Sequence, residues 1–280
     1  MKLGVITDCF KLPLVPSIQK AAEMGFQGIQ LYATTGEFSP EVLTQADKDA
    51  LKQLIRDNGL VISALCGDMG GFGFQIEEDN ADRIEKTKRI IDLAQEFGVS
   101  VVTTHIGVIP KDKSVPRYDV MRRAMAACGE YAMSKGVTLA IETGPEDAPT
   151  LLQFINDTND GVGVNLDPAN FVMVTGQDPV EAVKLLGKHI VHTHAKDGVM
   201  LKQTDPEIIY DCFATGGIEA LNVADYFLET PLGQGNVDFN AYIAALREVG
   251  YDGFLTIERE TGEDPAADIA LAKDFLSEVV

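Results

Sequence analysis

In the stretch TLAIETGPE, residues 138–146, a nearly uninterrupted apolar run over residues 138–141 ends at the acidic residue Glu142. An apolar run without alternating polar residues is typical of a strand buried on both faces, as in parallel sheets. A helical pattern over residues 119–135 precedes it and ends at Gly136, and a predicted helix over residues 150–156 follows. The stretch therefore predicts the strand–helix alternation of an α/β protein with a parallel sheet.

The same alternation continues in both directions along the chain. Strand-like runs are predicted at residues 3–7, 28–32, 61–65, 101–104, 138–141, 163–166, 190–193 and 254–257. Each is followed by a helical pattern, at residues 17–24, 41–58, 80–97, 119–135, 150–156, 179–186, 240–249 and 265–279. Eight such units in 280 residues favour one closed (β/α)8 barrel, for which ~250 residues are typical. No Pro/Ser-rich linker divides the chain, so we predict a single TIM-barrel domain over residues 1–280.

Two stretches are predicted to form loops over the mouth of this barrel. The first, GDMGGFGFQ at residues 67–75, is rich in glycine. We expect it to close over a site, with Phe72 and Phe74 packing on the apolar face of a substrate; the alternative is a flexible surface turn. The second runs over residues 198–236, and we predict a short helix in it near residues 220–227.

The balance of charge excludes several classes of partner. Acidic residues outnumber basic ones by 43 to 23, and the formal net charge is -20. Nucleic acids and anionic membranes are bound by clustered lysine and arginine, so we expect neither partner. The four cysteines are far apart and form no CxxC pair, which argues against a zinc-finger or thioredoxin-like site. With no signal-like N-terminus and no apolar run of ~18 residues, we expect a cytoplasmic protein.

In a barrel of this kind, catalytic side chains lie where the strands end. Polar or reactive residues close the predicted strands at Asp8, Tyr32, Cys66, Asp68, His105, Glu142, Asp167, His194 and Glu258. The last four come from strands five to eight and should converge on one side of the mouth. Three carboxylates would repel one another strongly in a pocket, and a bound cation resolves that repulsion.

The four residues Glu142, Asp167, His194 and Glu258 are therefore predicted to hold one divalent metal ion. Three carboxylate oxygens and one imidazole nitrogen suit a hard or borderline ion. Mn²⁺ and Mg²⁺ are favoured, and Co²⁺ and Zn²⁺ also accept such ligands. The alternative is that these acids cap helices or pair with lysine and arginine, which is the usual situation of a single acid at a strand end.

Three further residues are predicted to contact a substrate. His105 and Asp68 close neighbouring strands at the same mouth. His192 precedes His194 by two positions, so both side chains should face the barrel interior. Arg259 alternates away from Glu258 and should point towards the helix layer.

Several motifs together resemble the xylose isomerase-like sugar phosphate isomerase/epimerase superfamily. They are LAIETGPE (139–146), VGVNLDPAN (162–170), VHTHAKDG (191–198), PLGQGNVDF (231–239) and GYDGFLTIERE (250–260), with MKLGVITD and GFQGIQLY nearer the N-terminus. The resemblance covers nearly the whole chain. It implies that Glu142, Asp167, His194 and Glu258 bind one metal ion, and that Lys196 acts at the mouth.

The resemblance also implies a reaction class. Members move a proton beside a carbonyl, so we expect a metal-dependent isomerase or epimerase of a sugar, sugar phosphate or cyclitol. The reaction would pass through a metal-stabilised enediolate, with Glu142 and Glu258 carrying the proton. Ketose 3-epimerases of the superfamily have an arginine-bearing sequence after the second histidine, where this chain has Lys196 and Asp197.

Other functions remain open from the sequence. A dehydratase or lyase acting on a keto-inositol or dehydroshikimate-like acid begins with the same proton removal on the same metal. An apurinic endonuclease needs a cluster of three metal ions and many histidines, whereas this chain has four histidines and has Asn170 three positions after Asp167, where that group places a histidine ligand. No nucleotide-binding glycine motif is present. An uncharged sugar or cyclitol is the favoured substrate, and a homo-oligomer is compatible with the sequence.

Overall fold

The barrel is built from eight parallel strands, with two further strands outside it. In the computed structural model, which describes residues 1–158, 160–217 and 221–280, the strands are β1 (Lys2–Ile6), β2 (Gly28–Tyr32), β3 (Val61–Cys66), β4 (Val101–Thr104), β5 (Thr138–Glu142), β6 (Val162–Leu166), β7 (Ile190–Ala195), β8 (Asp197–Met200), β9 (Phe227–Thr230) and β10 (Phe254–Ile257). The closed barrel has the order β1-β10-β7-β6-β5-β4-β3-β2. This confirms the predicted fold.

Helices cover the outside of the barrel. They are α1 (Leu14–Glu23), α2 (Gln45–Asp57), α3 (Glu77–Phe97), α4 (Pro116–Ser134), α5 (Ala148–Asp157), α6 (Pro168–Asn170), α7 (Pro179–Leu186), α8 (Pro206–Ala214), α9 (Phe239–Glu248) and α10 (Pro265–Val279). Proline stands in the first turn of several of them, where its missing N–H costs no hydrogen bond. Among the described residues, no helix has both the length and the apolar character that crossing a membrane requires.

The strands agree closely with the sequence prediction because they are buried on both faces. All five residues of β6 and all four of β4 are buried. Their side chains belong to a core between the barrel and the helices, and to the smaller interior of the barrel. Strand β7 continues two residues beyond its predicted end, so His194 lies within the strand.

The prediction of a loop over residues 198–236, with a short helix near residues 220–227, was wrong about the internal structure of this segment. This segment contains helix α8 and the antiparallel pair of strands β8 and β9. Within the stretch where a short helix was predicted, Ala220 lies outside the described residues, and the described part contains a short 3-10 helix, Val223–Asp225. This strand pair was missed because each strand is four residues long and a long connection that contains α8 separates the two.

Asp197, the first residue of β8, holds the backbone of the loop that follows β9. Its carboxylate accepts hydrogen bonds from the N–H groups of Gly233 and Gly235, each at 2.9 Å, and of Val237 at 3.1 Å. A Cβ atom at Gly235 would lie 2.1 Å from the Asp197 carboxylate oxygen. The motif 231–239 therefore needs glycine here because the loop wraps tightly around a buried acid.

Candidate metal centre and active site

Four side chains predicted from the sequence come together at the carboxyl ends of β5, β6, β7 and β10. Glu142 is the last residue of β5, Asp167 follows β6, His194 lies in β7 and Glu258 follows β10. All four are buried, with exposed fractions between 0% and 7%. One ligand atom from each lies within 4.8 Å of the others. Parallel strands that end at one rim produce this convergence.

Several buried polar atoms of this cluster lack a hydrogen-bond partner. His194 Nδ1 lies 3.4 Å from Glu142 Oε1, 3.6 Å from Asp167 Oδ2 and 3.1 Å from Glu258 Oε2. Nevertheless, Nδ1, Asp167 Oδ2 and Glu258 Oε2 are buried and have no partner in hydrogen-bond geometry. Buried polar atoms are normally satisfied, so atoms that point together without partners indicate a place for a cation. The donor set of three carboxylates and one imidazole fits a divalent metal ion.

The two carboxylate oxygens of Asp167 have different surroundings. Oδ1 accepts hydrogen bonds from the N–H groups of Ala169 at 2.8 Å and Asn170 at 3.1 Å, and so caps helix α6. Oδ2 is the oxygen that faces the cluster without a partner. One oxygen therefore holds the side chain in place while the other is free to bind a metal ion.

The carboxylates determine the protonation of His194 in this cluster. Burial alone would disfavour a charged imidazole, but Glu142 and Glu258 outweigh it and raise the pKa of His194 well above its ordinary value. Without a cation, the proton on His194 partly neutralises the three acids. Metal binding needs a neutral imidazole, so it must release that proton.

A second layer of polar side chains orients the ligands. His194 Nε2 lies 3.1 Å from Gln30 Oε1 and 3.2 Å from Asn165 Nδ2. As a donor to the Gln30 oxygen, Nε2 carries the proton of the neutral imidazole, so that the lone pair of Nδ1 faces the cluster. Asn165 Nδ2 donates to Glu142 Oε2 at 3.1 Å. Both residues lie inside strands that are otherwise apolar, GIQLY and VGVNL. The prediction overlooked them because it considered only the residues that end each strand, although a polar residue inside such a run is itself a signal.

His192 lies deeper in the barrel, beneath the cluster. Its Nδ1 donates to Asn165 Oδ1 at 2.9 Å, and its Nε2 accepts from Thr256 Oγ1 at 3.1 Å. Burial, reinforced by the charge on His194, holds the pKa of His192 well below its ordinary value. It faces the interior as predicted, but it reaches the cluster through Asn165, and it is not among the described residues that line the cavity.

His105 and Asp68 form a pair at the cavity wall. Their side chains approach at 3.1 Å between Nδ1 and Oδ2, and His105 Nε2 lies 3.8 Å from Glu142 Oε1. Burial opposes a charge on His105, but Glu142 and Asp68 overcome it and raise its pKa to about 10. The structure thus brings these two predicted residues to the cluster of candidate metal ligands, with the His105 imidazole turned towards Glu142.

Lys196 is a buried cation at the opposite side of the cluster. Its Nζ lies 2.6 Å from Glu260 Oε2, 3.4 Å from Glu258 Oε2 and 3.9 Å from Glu229 Oε2. These acids, with Asp167, outweigh burial and raise the pKa of Lys196 well above its ordinary value, so it stays protonated. Lys196 can therefore donate to a substrate oxygen.

Arg259 points away from the site, as its alternation with Glu258 predicted. Its guanidinium donates to Glu229 Oε1 at 2.7 Å and to Asp268 Oδ2 of helix α10 at 2.8 Å. Arg259 therefore links strand β9 to helix α10, and its guanidinium is not among the described groups that line the cavity.

A cavity of about 600 Å³ opens above the cluster. The glycine-rich loop lines one side of it through Asp68, Gly70, Gly71, Gly73 and Gln75. The expected contact of Phe72 and Phe74 with a substrate is not supported. Phe74 is 1% exposed and belongs to the hydrophobic core, and neither ring is among the described lining residues.

Two functional candidates were missed by the sequence prediction. Tyr210, from helix α8, lines the cavity and packs against His105, with the ring centroids 6.0 Å apart. Glu146 is buried near it, and its Oε1 has no hydrogen-bond partner. Burial raises the pKa of Glu146 to about 8, so it is largely protonated at neutral pH. Only Glu146 had a signal, since it lies in the conspicuous stretch that follows β5.

The chain matches a known family of proteins that has this fold. A family model described as xylose isomerase-like TIM barrel matches residues 18–279, and the chain belongs to that family. Among named relatives, an uncharacterized protein YfiH of Bacillus subtilis is 23% identical and spans 100% of this chain and 99% of its own length. The L-ribulose-5-phosphate 3-epimerase UlaE of Escherichia coli is 25% identical over 92% of this chain and 87% of its own length.

Solved structures show the same fold. A xylose isomerase domain protein from Planctomyces limnophilus is 26% identical, with a TM-score of 0.80, over 99% of this chain and 96% of its own. AsbF of Bacillus anthracis, described as a probable 3-DHS dehydratase, is 21% identical with a TM-score of 0.77, over 99% of both chains. A xylose isomerase-like TIM barrel protein from Mycobacterium smegmatis in complex with magnesium is 22% identical with a TM-score of 0.68, over 95% of this chain and 87% of its own.

Proposed function

We propose that this protein is a metal-dependent isomerase or epimerase that moves a proton beside the carbonyl of a sugar or cyclitol. The observation that carries the proposal is the buried group of Glu142, Asp167, His194 and Glu258, in which one atom of each of the last three lacks a hydrogen-bond partner although the four lie close together. The similarity of this chain to an epimerase, UlaE of Escherichia coli, supports the same reaction class.

These four residues would hold one divalent ion, with Mn²⁺ or Mg²⁺ preferred. When bound, such an ion supplies Lewis-acid polarisation of a carbonyl oxygen and fixes the position of the substrate. Gln30 and Asn165 keep His194 and Glu142 in their orientations, because Gln30 Oε1 accepts from His194 Nε2 and Asn165 Nδ2 donates to Glu142 Oε2.

Glu142 and Glu258 are proposed as the proton carriers. Both line the cavity, and they come from strands β5 and β10, which are separated in the barrel by β6 and β7. They therefore approach a bound substrate from different sides. One carboxylate can take a proton from a carbon beside the carbonyl, while the other returns it to the opposite face or to the neighbouring carbon.

His105 and Lys196 are proposed to orient the substrate. Both line the cavity, both are held protonated by nearby acids, and they lie next to Glu142 and Glu258 respectively. Each can donate a hydrogen bond to a carbonyl or hydroxyl oxygen at the reacting end. Asp68 positions the His105 imidazole, and His192 acts as a positioning residue through Asn165.

Solvent exchange tests the proposal directly. The protein, loaded with Mn²⁺ or Mg²⁺, is incubated in D₂O with a set of ketoses and keto-inositols, and the products are followed by NMR and mass spectrometry. We expect one deuterium at a carbon beside the carbonyl. If a metal-loaded protein exchanges none of these substrates, the proposed reaction class is wrong.

Variants assign the proton carriers. Glu142→Gln and Glu258→Gln should abolish exchange, whereas Glu130→Gln, which changes an exposed glutamate on helix α4, should leave it unchanged. Metal content is measured in each variant, because both carboxylates are also proposed ligands. Exchange at the wild-type rate in either metal-loaded variant would contradict the assignment of that residue.

The product distinguishes isomerisation from dehydration. A dehydratase would begin with the same proton removal and then expel a hydroxide, so its product is lighter by one water. AsbF, described as a probable dehydratase, shares the fold. A dehydrated product in the exchange experiment would assign the protein to that alternative.

A further inference from the structure

The cavity above the metal cluster has two ends of different chemistry. The end at the barrel floor is lined by carboxylates, His105 and Lys196, as described above. The other end is formed by the π-helical turn after α6, by helix α8 and by strand β9. It presents the side chains of Met173, Val174, Tyr210, Phe213, Phe227 and Leu228.

Aromatic rings run in a row from the polar end to the mouth. His105 packs against Tyr210 with centroids 6.0 Å apart, Tyr210 against Phe213 at 5.9 Å, and Phe213 against Phe227 at 6.4 Å. Phe213 is 54% exposed and Leu228 is 52% exposed, although both line the cavity. Large apolar side chains left open to solvent in this arrangement indicate a surface that a ligand covers.

The charged residues that line the cavity are poorly suited to a phosphate. Within the described part of the chain, five acidic residues line it, namely Asp68, Glu142, Glu229, Glu258 and Glu260, and two lining residues, Lys196 and His105, are held positively charged by these acids. That lysine is already paired with Glu260 and lies near Glu258. With one divalent ion bound, the charges of the cavity would nearly balance, but the described lining residues include no arginine that could bind a phosphate in a bidentate manner.

The apolar end also disfavours a second sugar ring. The hydroxyl groups of a buried sugar need hydrogen bonds, and a hydroxyl buried without one costs roughly 1–3 kcal/mol. At this end Tyr210 offers one hydroxyl group, and the methionine, valine, phenylalanine and leucine side chains offer no hydrogen-bond partners. The cavity volume of about 600 Å³ is within the range of pockets for drug-sized ligands, which are larger than one monosaccharide.

We propose that the substrate is an unphosphorylated sugar or cyclitol that carries an apolar substituent, such as an aryl or alkyl group. The polar ring lies at the metal cluster, and the substituent lies on the aromatic row of Tyr210, Phe213 and Phe227. This inference rests on the proposed function for the position of the polar ring. It extends that function by assigning the rest of the cavity.

Matched ligands test the inference through binding, without a need for turnover. Methyl and phenyl β-D-glucopyranoside, galactopyranoside and xylopyranoside are titrated calorimetrically into the Mn²⁺-loaded protein. In at least one pair the phenyl compound should bind about tenfold more tightly than the methyl compound, which corresponds to about 1.4 kcal/mol. D-Fructose 6-phosphate should bind no more tightly than D-fructose.

Two variants show where the substituent binds. Phe213→Ser should reduce the affinity for the preferred phenyl compound about three- to tenfold and leave that for its methyl partner within about twofold. Leu271→Ser, which removes a similarly exposed apolar side chain on helix α10, should change neither.

The outcomes separate this inference from the proposed function. Equal affinities within every pair, no binding of any pair, or a preference for the sugar phosphate would overturn the inference. Deuterium exchange of free ketoses together with such a result would leave the proposed function standing. A phenyl preference without exchange of any substrate would instead retain the apolar site and reject the reaction class.

Discussion

Replacing Glu146 with glutamine should change how the stability of this protein depends on pH. Glu146 is 3% exposed, its Oε1 lacks a hydrogen-bond partner, and burial raises its pKa from an ordinary 4.5 to about 8. Between these values the unfolded chain carries an ionised carboxylate and the folded chain a neutral acid. The wild-type protein therefore loses stability as pH rises from about 4.5 to about 8.

The size of this effect follows from the pKa shift. Each pH unit in this window costs about 1.4 kcal/mol of folding free energy. From pH 5.5 to pH 8 the interval is 2.5 units, so the contribution is about 3 kcal/mol. Glutamine has nearly the same shape as the neutral acid and does not ionise. Glu146→Gln should therefore gain about 3 kcal/mol relative to wild type between pH 5.5 and pH 8, whatever offset the amide introduces.

Urea unfolding of metal-free protein in EDTA at the two pH values measures this gain. The lower pH stays above the isoelectric point of about 4.5, where solubility is poorest. Glu130→Gln, on the exposed face of helix α4, is the matched control and should follow the wild type. A difference between Glu146→Gln and wild type that stays constant across this pH range would refute the assignment of a buried neutral acid.

Three further predictions concern the metal site and its supports. Asp167→Asn keeps the oxygen that caps α6 and replaces the oxygen that faces the cluster, so the metal-free variant should melt within a few degrees of the wild type. Adding Mn²⁺ should raise the melting temperature of the wild type and not that of the variant. An equal rise in the variant and the wild type would exclude Asp167 as a ligand. Gly235→Ala should lower the unfolding free energy by about 2 kcal/mol, because its Cβ would collide with Asp197, and a wild-type urea midpoint would show that the loop adapts. Arg259→Met should destabilise the fold by about 3 kcal/mol, because it leaves Glu229 without its main cation. The rise in melting temperature on adding Mn²⁺ should be unchanged, because Arg259 points to α10. Loss of that rise would connect Arg259 to the site.

The cluster of candidate metal ligands could be predicted from the sequence because each of its four residues closes or follows a recognisable apolar run. Parallel strands end at one rim, so residues at equivalent positions meet there even though they are far apart in the chain. The layer behind the cluster was not accessible. Whether Asn165 reaches Glu142 or His192 depends on the register between β5, β6 and β7, and this register shifts between Val164 and Asn165.

The cavity wall also required the structure. Residues 198–236 lack a clear period, and the pairing of β8 with β9 joins residues separated by a long connection. Consequently Tyr210 and Phe213 could not be placed near His105 from the sequence. The predicted contacts of Phe72 and Phe74 failed for a related reason, since a glycine-rich loop does not reveal which of its side chains turns inward.

By itself, the sequence determined the alternation of strands and helices, the closed barrel and the four residues most suited to a metal. These depend on hydrophobic periodicity and on position within one strand, which are local properties. Only the tertiary structure decided which atoms of those residues lack partners, how Lys196 and Glu146 are charged, and which side chains form the apolar end of the cavity. Those properties depend on distances between residues far apart in the chain, and burial and electrostatic interaction follow such distances.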